Sequence, residues 1–270
     1  MSRFYFLLFV FLSFSCHADS GRKLEIFVSI PPQKFLVERI GGERVHVNVM
    51  LQPGQSPETY DPAPKQIAML SGAQVYFCIG VPFEKHWLDR ISGQNRKMYM
   101  VDSYDSMLDD NDPHIWTDPA NAKRIAGHIK DTLIKLDPAE SSLFTVNYRL
   151  LISDLNRLDR DIRAMLAHRK TDYFIVSHGS WGYFARRYGL KQLALESLGR
   201  ELGPRGLSEL VTLARQEGIH TVFIQRQHPA RTADTLAREL DASIVTLDPL
   251  AEEYIGNLYS VGRQIAEAVK

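Results

Sequence analysis

A chain of 270 residues with 44% hydrophobic and 24% charged side chains carries enough apolar surface for a packed core and enough charge to stay in water. Its 32 basic and 32 acidic residues cancel. That balance argues against nucleic acid as a partner and leaves no basic excess for a lipid surface.

The first element along the chain reads as an export signal. Met1-Ser2-Arg3 is a short basic start, and residues 4–15 are almost continuously apolar. At about a dozen residues this run is too short to span a bilayer, but it suits the apolar segment of a secretory signal. The small residues Cys16 and Ala18 place cleavage after Ala18, which assigns residues 1–18 to a signal peptide and the mature protein to the periplasm. The alternative is lipid anchoring at Cys16, against which bulky Phe14 stands in the preceding tripeptide. With Cys16 removed, Cys78 is alone. It lies in an apolar run, where it is expected to behave as a buried small hydrophobe.

Beyond the signal, short apolar runs alternate with amphipathic stretches, the pattern of βα units and parallel sheets. Strands are predicted over 24–30, 45–50, 74–79 and 98–101, then over 173–177, 193–196, 221–224 and 243–247. Helical periodicity covers 33–40, 119–136, 207–217, 230–240 and 255–269. Between the two strand groups, residues 138–168 lack glycine and carry proline only at Pro138. Leu151, Leu155, Leu158, Ile162 and Leu166 recur there at spacings of three and four. This predicts one helix about 45 Å long. The expected fold is therefore α/β, with two lobes, each a small mostly parallel sheet flanked by helices, joined by one long rigid helix. The lobes are expected at 19–137 and 171–270, with the connector at 138–170.

Four segments at predicted strand ends or in loops carry side chains able to bind a metal, and loops at the ends of parallel strands are where α/β folds hold ligands. Glu58 lies in Gln52-Pro-Gly-Gln-Ser-Pro-Glu-Thr-Tyr-Asp-Pro62, constrained by its prolines. His114 lies in Asp112-Pro-His-Ile-Trp-Thr-Asp-Pro119, with Pro113 stiffening its approach and Trp116 close enough to shield it. Asp118 followed by Pro119 reads as the cap and first residue of a helix. His178 ends an apolar strand just before Gly-Ser-Trp-Gly-Tyr-Phe-Ala, and Asp248 ends another before Pro249. The Ser177-His178 pair lacks the G-x-S-x-G turn of a nucleophilic serine.

Taken together these segments resemble the cluster A-I solute-binding proteins, the TroA/ZnuA-like zinc- and manganese-binding family of ABC importers. The resemblance rests on Pro57-Glu-Thr-Tyr60, Asp112-Pro-His-Ile-Trp-Thr-Asp-Pro119, His178-Gly-Ser-Trp-Gly-Tyr-Phe-Ala185 and Thr246-Leu-Asp-Pro-Leu250, and it covers nearly all the mature chain. It implies one metal in a cleft between the lobes, held by Glu58, His114, His178 and Asp248. The bound ion would be cargo for an ABC transporter permease, carried by a monomer that is not an enzyme. Glu58 stands where zinc-binding relatives usually have histidine, and Gln225 where many have an acidic residue. No His-rich loop precedes His114; Asp109, Asp110, Asn111 and Asp112 stand there instead.

Two imidazoles and two carboxylates suit Zn2+, and the carboxylates cancel its charge. The oxygen donors keep Mn2+, or iron, as the alternative ion. A different class of function remains open: a periplasmic metallohydrolase in which Glu58 is the general base rather than a ligand. So does an adhesin built on the same fold.

Overall fold

In the computed structural model, which describes residues 23–104, 107, 112–197, 200–227 and 231–270, the first four strands form one parallel sheet. They are β1 (Leu24–Val28), β2 (Val45–Val49), β3 (Val75–Cys78) and β4 (Tyr99–Asp102), in the order β2-β1-β3-β4. The signal peptide, Cys16 and residues 109–111 lie outside the described residues. The second half forms a five-stranded sheet in the order β7-β6-β5-β8-β9. Its strands are β5 (Tyr173–His178), β6 (Lys191–Ser197), β7 (Arg200–Glu201), β8 (Thr221–Ile224) and β9 (Ser243–Thr246). All its pairings are parallel except β6 with β7.

Helices α1 (Pro31–Gly41), α2 (Pro64–Met69), α3 (Glu84–Gln94) and α4 (Pro119–Leu136) belong to the first half. Helices α6 (Gly182–Tyr188), α7 (Pro204–Gln216), α8 (Arg231–Leu240) and α9 (Tyr254–Ala268) belong to the second. The expected two-lobed α/β architecture is present. The joining helix, α5 (Ser141–Met165), spans 25 residues and so about 37 Å. It is shorter than its periodicity implied because Pro138–Glu140 closes a separate 3-10 turn and the chain leaves the helix after Met165. Nor is it a free rod. Phe144, Leu151, Leu155, Leu158 and Ile162 are buried along it, packed with α1 and α4 on one side and α9 on the other.

Strand alternation explains how the second sheet is covered on both faces. Phe174 and Val176 turn toward the large core shared with α5 and the first lobe. Ile175 between them turns toward a smaller core with Leu210 and Ala214 of α7 and Leu236 of α8. The end of β5 and the segments that follow β2, β3, β8 and β9 line one crevice between the lobes. Side chains tie down strand ends in the first lobe. Gln33 accepts the backbone N–H groups of Ser29 and Ile30 at 3.0 and 3.2 Å and donates to the Phe77 carbonyl at 3.0 Å, joining the ends of β1 and β3. Among the described residues no helix is long and apolar enough to cross a membrane.

Candidate metal centre

Three of the four expected donors meet in one cavity in that crevice. Its walls include Glu58, His114, His178, Trp116, Gln225, Gln227 and the Pro249-Leu250 turn. Glu58 arrives on the loop after β2, which is held from several sides. Ser56 Oγ accepts the Glu58 N–H at 3.2 Å, and the Pro57 carbonyl accepts the Phe83 N–H at 3.2 Å. Tyr60 donates its hydroxyl to the Met50 carbonyl at 2.5 Å and packs edge-on to Phe83. The opposing Gly80 turn is fixed by Glu84, a buried carboxylate that accepts the N–H groups of Ile79 and Gly80 at 3.0 and 2.8 Å. Burial pushes its carboxyl up to about 7, against the pull of the Ser29 hydroxyl and those two N–H groups.

His114 precedes α4, whose start is fixed by Asp118 capping the Ala120 N–H at 2.7 Å. Its Nδ1 bonds to Asp112 Oδ1 at 2.9 Å, and Trp116 shields it with ring centroids 5.3 Å apart. Trp116 is itself fully buried and donates Nε1–H to the Pro249 carbonyl of the other lobe at 2.7 Å. His178 is the last residue of β5, and its ring centroid lies 5.5 Å from that of His114. Its Nε2 is 3.1 Å from Glu58 Oε1, and its Nδ1 is hydrogen-bonded to Glu196 on the neighbouring strand β6. Burial lowers the affinity of this imidazole for a proton. The bonds to Glu58 and Glu196 and their charges outweigh burial, so its pKa lies above the ordinary histidine value.

Glu58, His178 and Glu196 each bring a donor atom within 4.8 Å of the others. They cannot all face one ion, because Glu196 occupies Nδ1 and Glu58 faces Nε2 on the other edge of the same ring. Glu196 therefore orients His178, as Asp112 orients His114. A carboxylate on Nδ1 fixes the tautomer that points a bare Nε2 at a metal and makes the ring a stronger donor. Neither carboxylate was singled out from sequence. β5 and β6 pair in parallel with His178 opposite Glu196, a register that only the folded sheet reveals. Gln225, where an acidic residue was expected, is a buried neutral amide. It accepts from Ser180 Oγ and donates to the His178 carbonyl, each at 3.3 Å, so Glu196 carries the negative charge beside that histidine.

Asp248 is the donor that the cavity does not include. It follows β9 as expected, but it lines the groove outside the cavity, with Gln52, Arg226 and Glu252. Its Oδ1 accepts the Leu250 N–H at 2.9 Å and Gln227 Nε2–H at 3.2 Å. The Asp-Pro turn draws the carboxylate back onto its own backbone, and Gln227, which lines both spaces, stands between it and the other donors. Cys78 is buried, as expected; burial holds its thiol far up, and the nearby Glu84 and Asp102 carboxylates push the same way.

Two parallel-sheet lobes closing on a pair of carboxylate-backed imidazoles and a glutamate that pairs with one of them define a metal-binding protein of the two-lobed solute-binding class. The chain matches the family of the periplasmic zinc-uptake complex component A, ZnuA, over residues 26–268, and it belongs to that family. A putative metal-binding protein of Chlamydia trachomatis is 30% identical over 276 residues, covering 98% of this chain and 99% of the relative. A crystal structure of ZnuA shares 35% identity with a TM-score of 0.88, covering 92% of this chain and all of the other. A zinc-bound ZnuA deletion mutant superimposes with the same TM-score and identity. The family is one of transport binding proteins, not enzymes.

Proposed function

We propose that this protein captures a zinc ion in the periplasm, after loss of its signal peptide, and delivers it as a monomer to an ABC transporter permease. The observation that carries this reading is the meeting of His178 Nε2 with Glu58 Oε1 at 3.1 Å beside His114, with each imidazole backed by a carboxylate. That contact is a charge-assisted hydrogen bond. A divalent cation entering between the two groups replaces it, with nitrogen and oxygen donors suited to zinc.

The site comprises Glu58, His114, His178 and Asp248, with Asp248 acting from its position behind Gln227. Membership of a zinc-uptake family and likeness to a zinc-bound structure favour zinc over manganese or iron. Capture is favoured over metal-assisted hydrolysis because Glu58 lies directly against the ring nitrogen that a metal would use. A general base would stand one water further off. The ion is cargo, and a closed set of protein donors suits holding it without reaction.

The test is purification without an affinity tag, elemental analysis, and competition titration against a chelator. Wild-type protein should carry about one zinc per chain, and Glu58→Ala and His114→Ala should each weaken zinc binding at least about tenfold. Unchanged affinity in the Glu58 variant would remove that residue from the site. Absence of stoichiometric metal binding in the wild type would end the capture reading.

A further inference from the structure

Gln227 is a polar residue of the cavity wall with a side-chain oxygen that no neighbour among the described residues engages. It lies just beyond the end of β8. Its Nε2 donates to Asp248 Oδ1 at 3.2 Å, while its Oε1 is sealed from solvent and has no hydrogen-bond partner among the described residues. Gln225, two residues earlier, shows the contrast: both ends of its amide are engaged, with Ser180 and with the His178 carbonyl. A buried carbonyl oxygen without a donor is unfavourable and calls for a partner.

A pattern in the site identifies that partner. Asp112 holds the rear nitrogen of His114, and Glu196 holds the rear nitrogen of His178. Asp248 holds the rear nitrogen of Gln227 in the same way. In each case a carboxylate takes the N–H of a side chain that lines the cavity and leaves the other donor atom of that side chain unclaimed by it. For an amide, a carboxylate on the N–H shifts electron density onto the carbonyl oxygen, making a neutral donor more attractive to a cation.

We propose that Gln227 Oε1 is the fourth donor to the metal, and that Asp248 is a positioning residue acting through it. This rests on the metal-capture reading above. It also accounts for a carboxylate that belongs to the site by sequence yet faces outward by geometry. Glu58 then supplies one negative charge in contact with the ion, and Asp248 supplies the second at one remove.

Cobalt(II), whose visible spectrum reports coordination number and donor type, tests the assignment alongside zinc competition titrations. The variants are Gln227→Leu, Gln227→Met, Asp248→Asn and the double variant Gln227→Leu/Asp248→Asn. Both Gln227 variants should change the cobalt spectrum and weaken zinc binding at least about tenfold. Asp248→Asn should keep the spectral shape and lose less affinity. The double variant should lose no more than Gln227→Leu alone, since the two side chains act as one unit. A changed spectrum in Asp248→Asn, with Gln227→Leu unchanged or binding more tightly, overturns the proposal and makes Asp248 the ligand and Gln227 its restraint. Wild-type binding matched by both Gln227 variants overturns this inference alone. A wild type that takes up neither ion overturns the capture reading and this inference with it.

Discussion

The imidazole of His178 has its two nitrogens committed to two carboxylates, Glu58 in the cavity and Glu196 behind it. Only one of these can be exchanged for a metal without turning the ring. Removing the charge behind the ring should therefore cost metal affinity while leaving the cavity donors in place. Glu196→Gln and Asp112→Asn are expected to weaken zinc binding about 10- to 100-fold, read by competition titration, with little change in melting temperature. Equal affinity in both variants would show that the backing carboxylates are ornament to the site. The same residues mark the limit of what could be read beforehand. His114, in a proline-flanked loop before α4, His178, at the end of β5, and Glu58, in a loop fixed by prolines, could be read as one group from sequence, and all three line the same cavity. The carboxylates backing the two histidines could not be: Glu196 reaches His178 across two strands, which leaves no local signature, and Asp112, two residues before His114, reads as an ordinary loop acid. Asp248 was placed correctly after β9, yet its rotation onto the Leu250 N–H depends on a turn whose direction the sequence does not state.

At the level of elements, the contact that matters to the site is the approach of α6 to the segment before α4. Gly182, the first residue of α6, sits so close to Asp112 that a β-carbon there would strike Asp112 Oδ2, and it would also lie 3.1 Å from Gln192 Nε2. Asp112 Oδ2 is buried without a hydrogen-bond partner among the described residues, with the Arg186 guanidinium 3.8 Å away. Its other oxygen, Oδ1, is held by the His114 N–H at 3.0 Å and by His114 Nδ1 at 2.9 Å, so a push on the carboxylate is passed directly to that histidine. Gly182→Ala is expected to cost about 1–3 kcal/mol of stability through overpacking. It should also weaken zinc binding by displacing Asp112 from His114, although no donor is altered. Thermal melts and zinc titration of the same preparation separate the two effects. A lower melting point with unchanged affinity would detach Asp112 from the function of His114. Element prediction failed where elements are short. Helix α2 has six residues and β7 two, too few for a period to emerge. Helix α3 has a glycine and polar residues through its last turn, which hide its apolar face. The long amphipathic segments and the parallel strands were recovered to within a few residues, because burial of one face writes a period into the sequence.

Across the whole molecule, the lobes are joined by more than α5. Trp116 donates to the Pro249 carbonyl at 2.7 Å, and Tyr254 donates its hydroxyl to the Trp116 carbonyl at 2.6 Å, both buried. Lys34 and Glu252 pair at 2.6 Å across the outer edge. Beneath these contacts one continuous core holds Ile26 and Phe77 of the first sheet, Leu155 of α5, Phe174 of the second sheet and Leu258 of α9. Helix α9 lies so close to α5 that a β-carbon on Gly262 would come 2.8 Å from Ile162. A wide opening of the crevice would break the Trp116 bonds and expose part of that shared core, and neither loss has a compensating gain. Zinc removal is therefore expected to produce loop and side-chain adjustment with little lobe rotation. Small-angle scattering curves of chelator-treated and zinc-loaded protein should superimpose. Calorimetry should give a single unfolding transition that moves to higher temperature as one peak when zinc is added, since the ion binds only the folded form. Two separable transitions, or a metal-free form expanded by hinge opening, would mean that the lobes are independent bodies and that the shared core contributes far less than its extent implies.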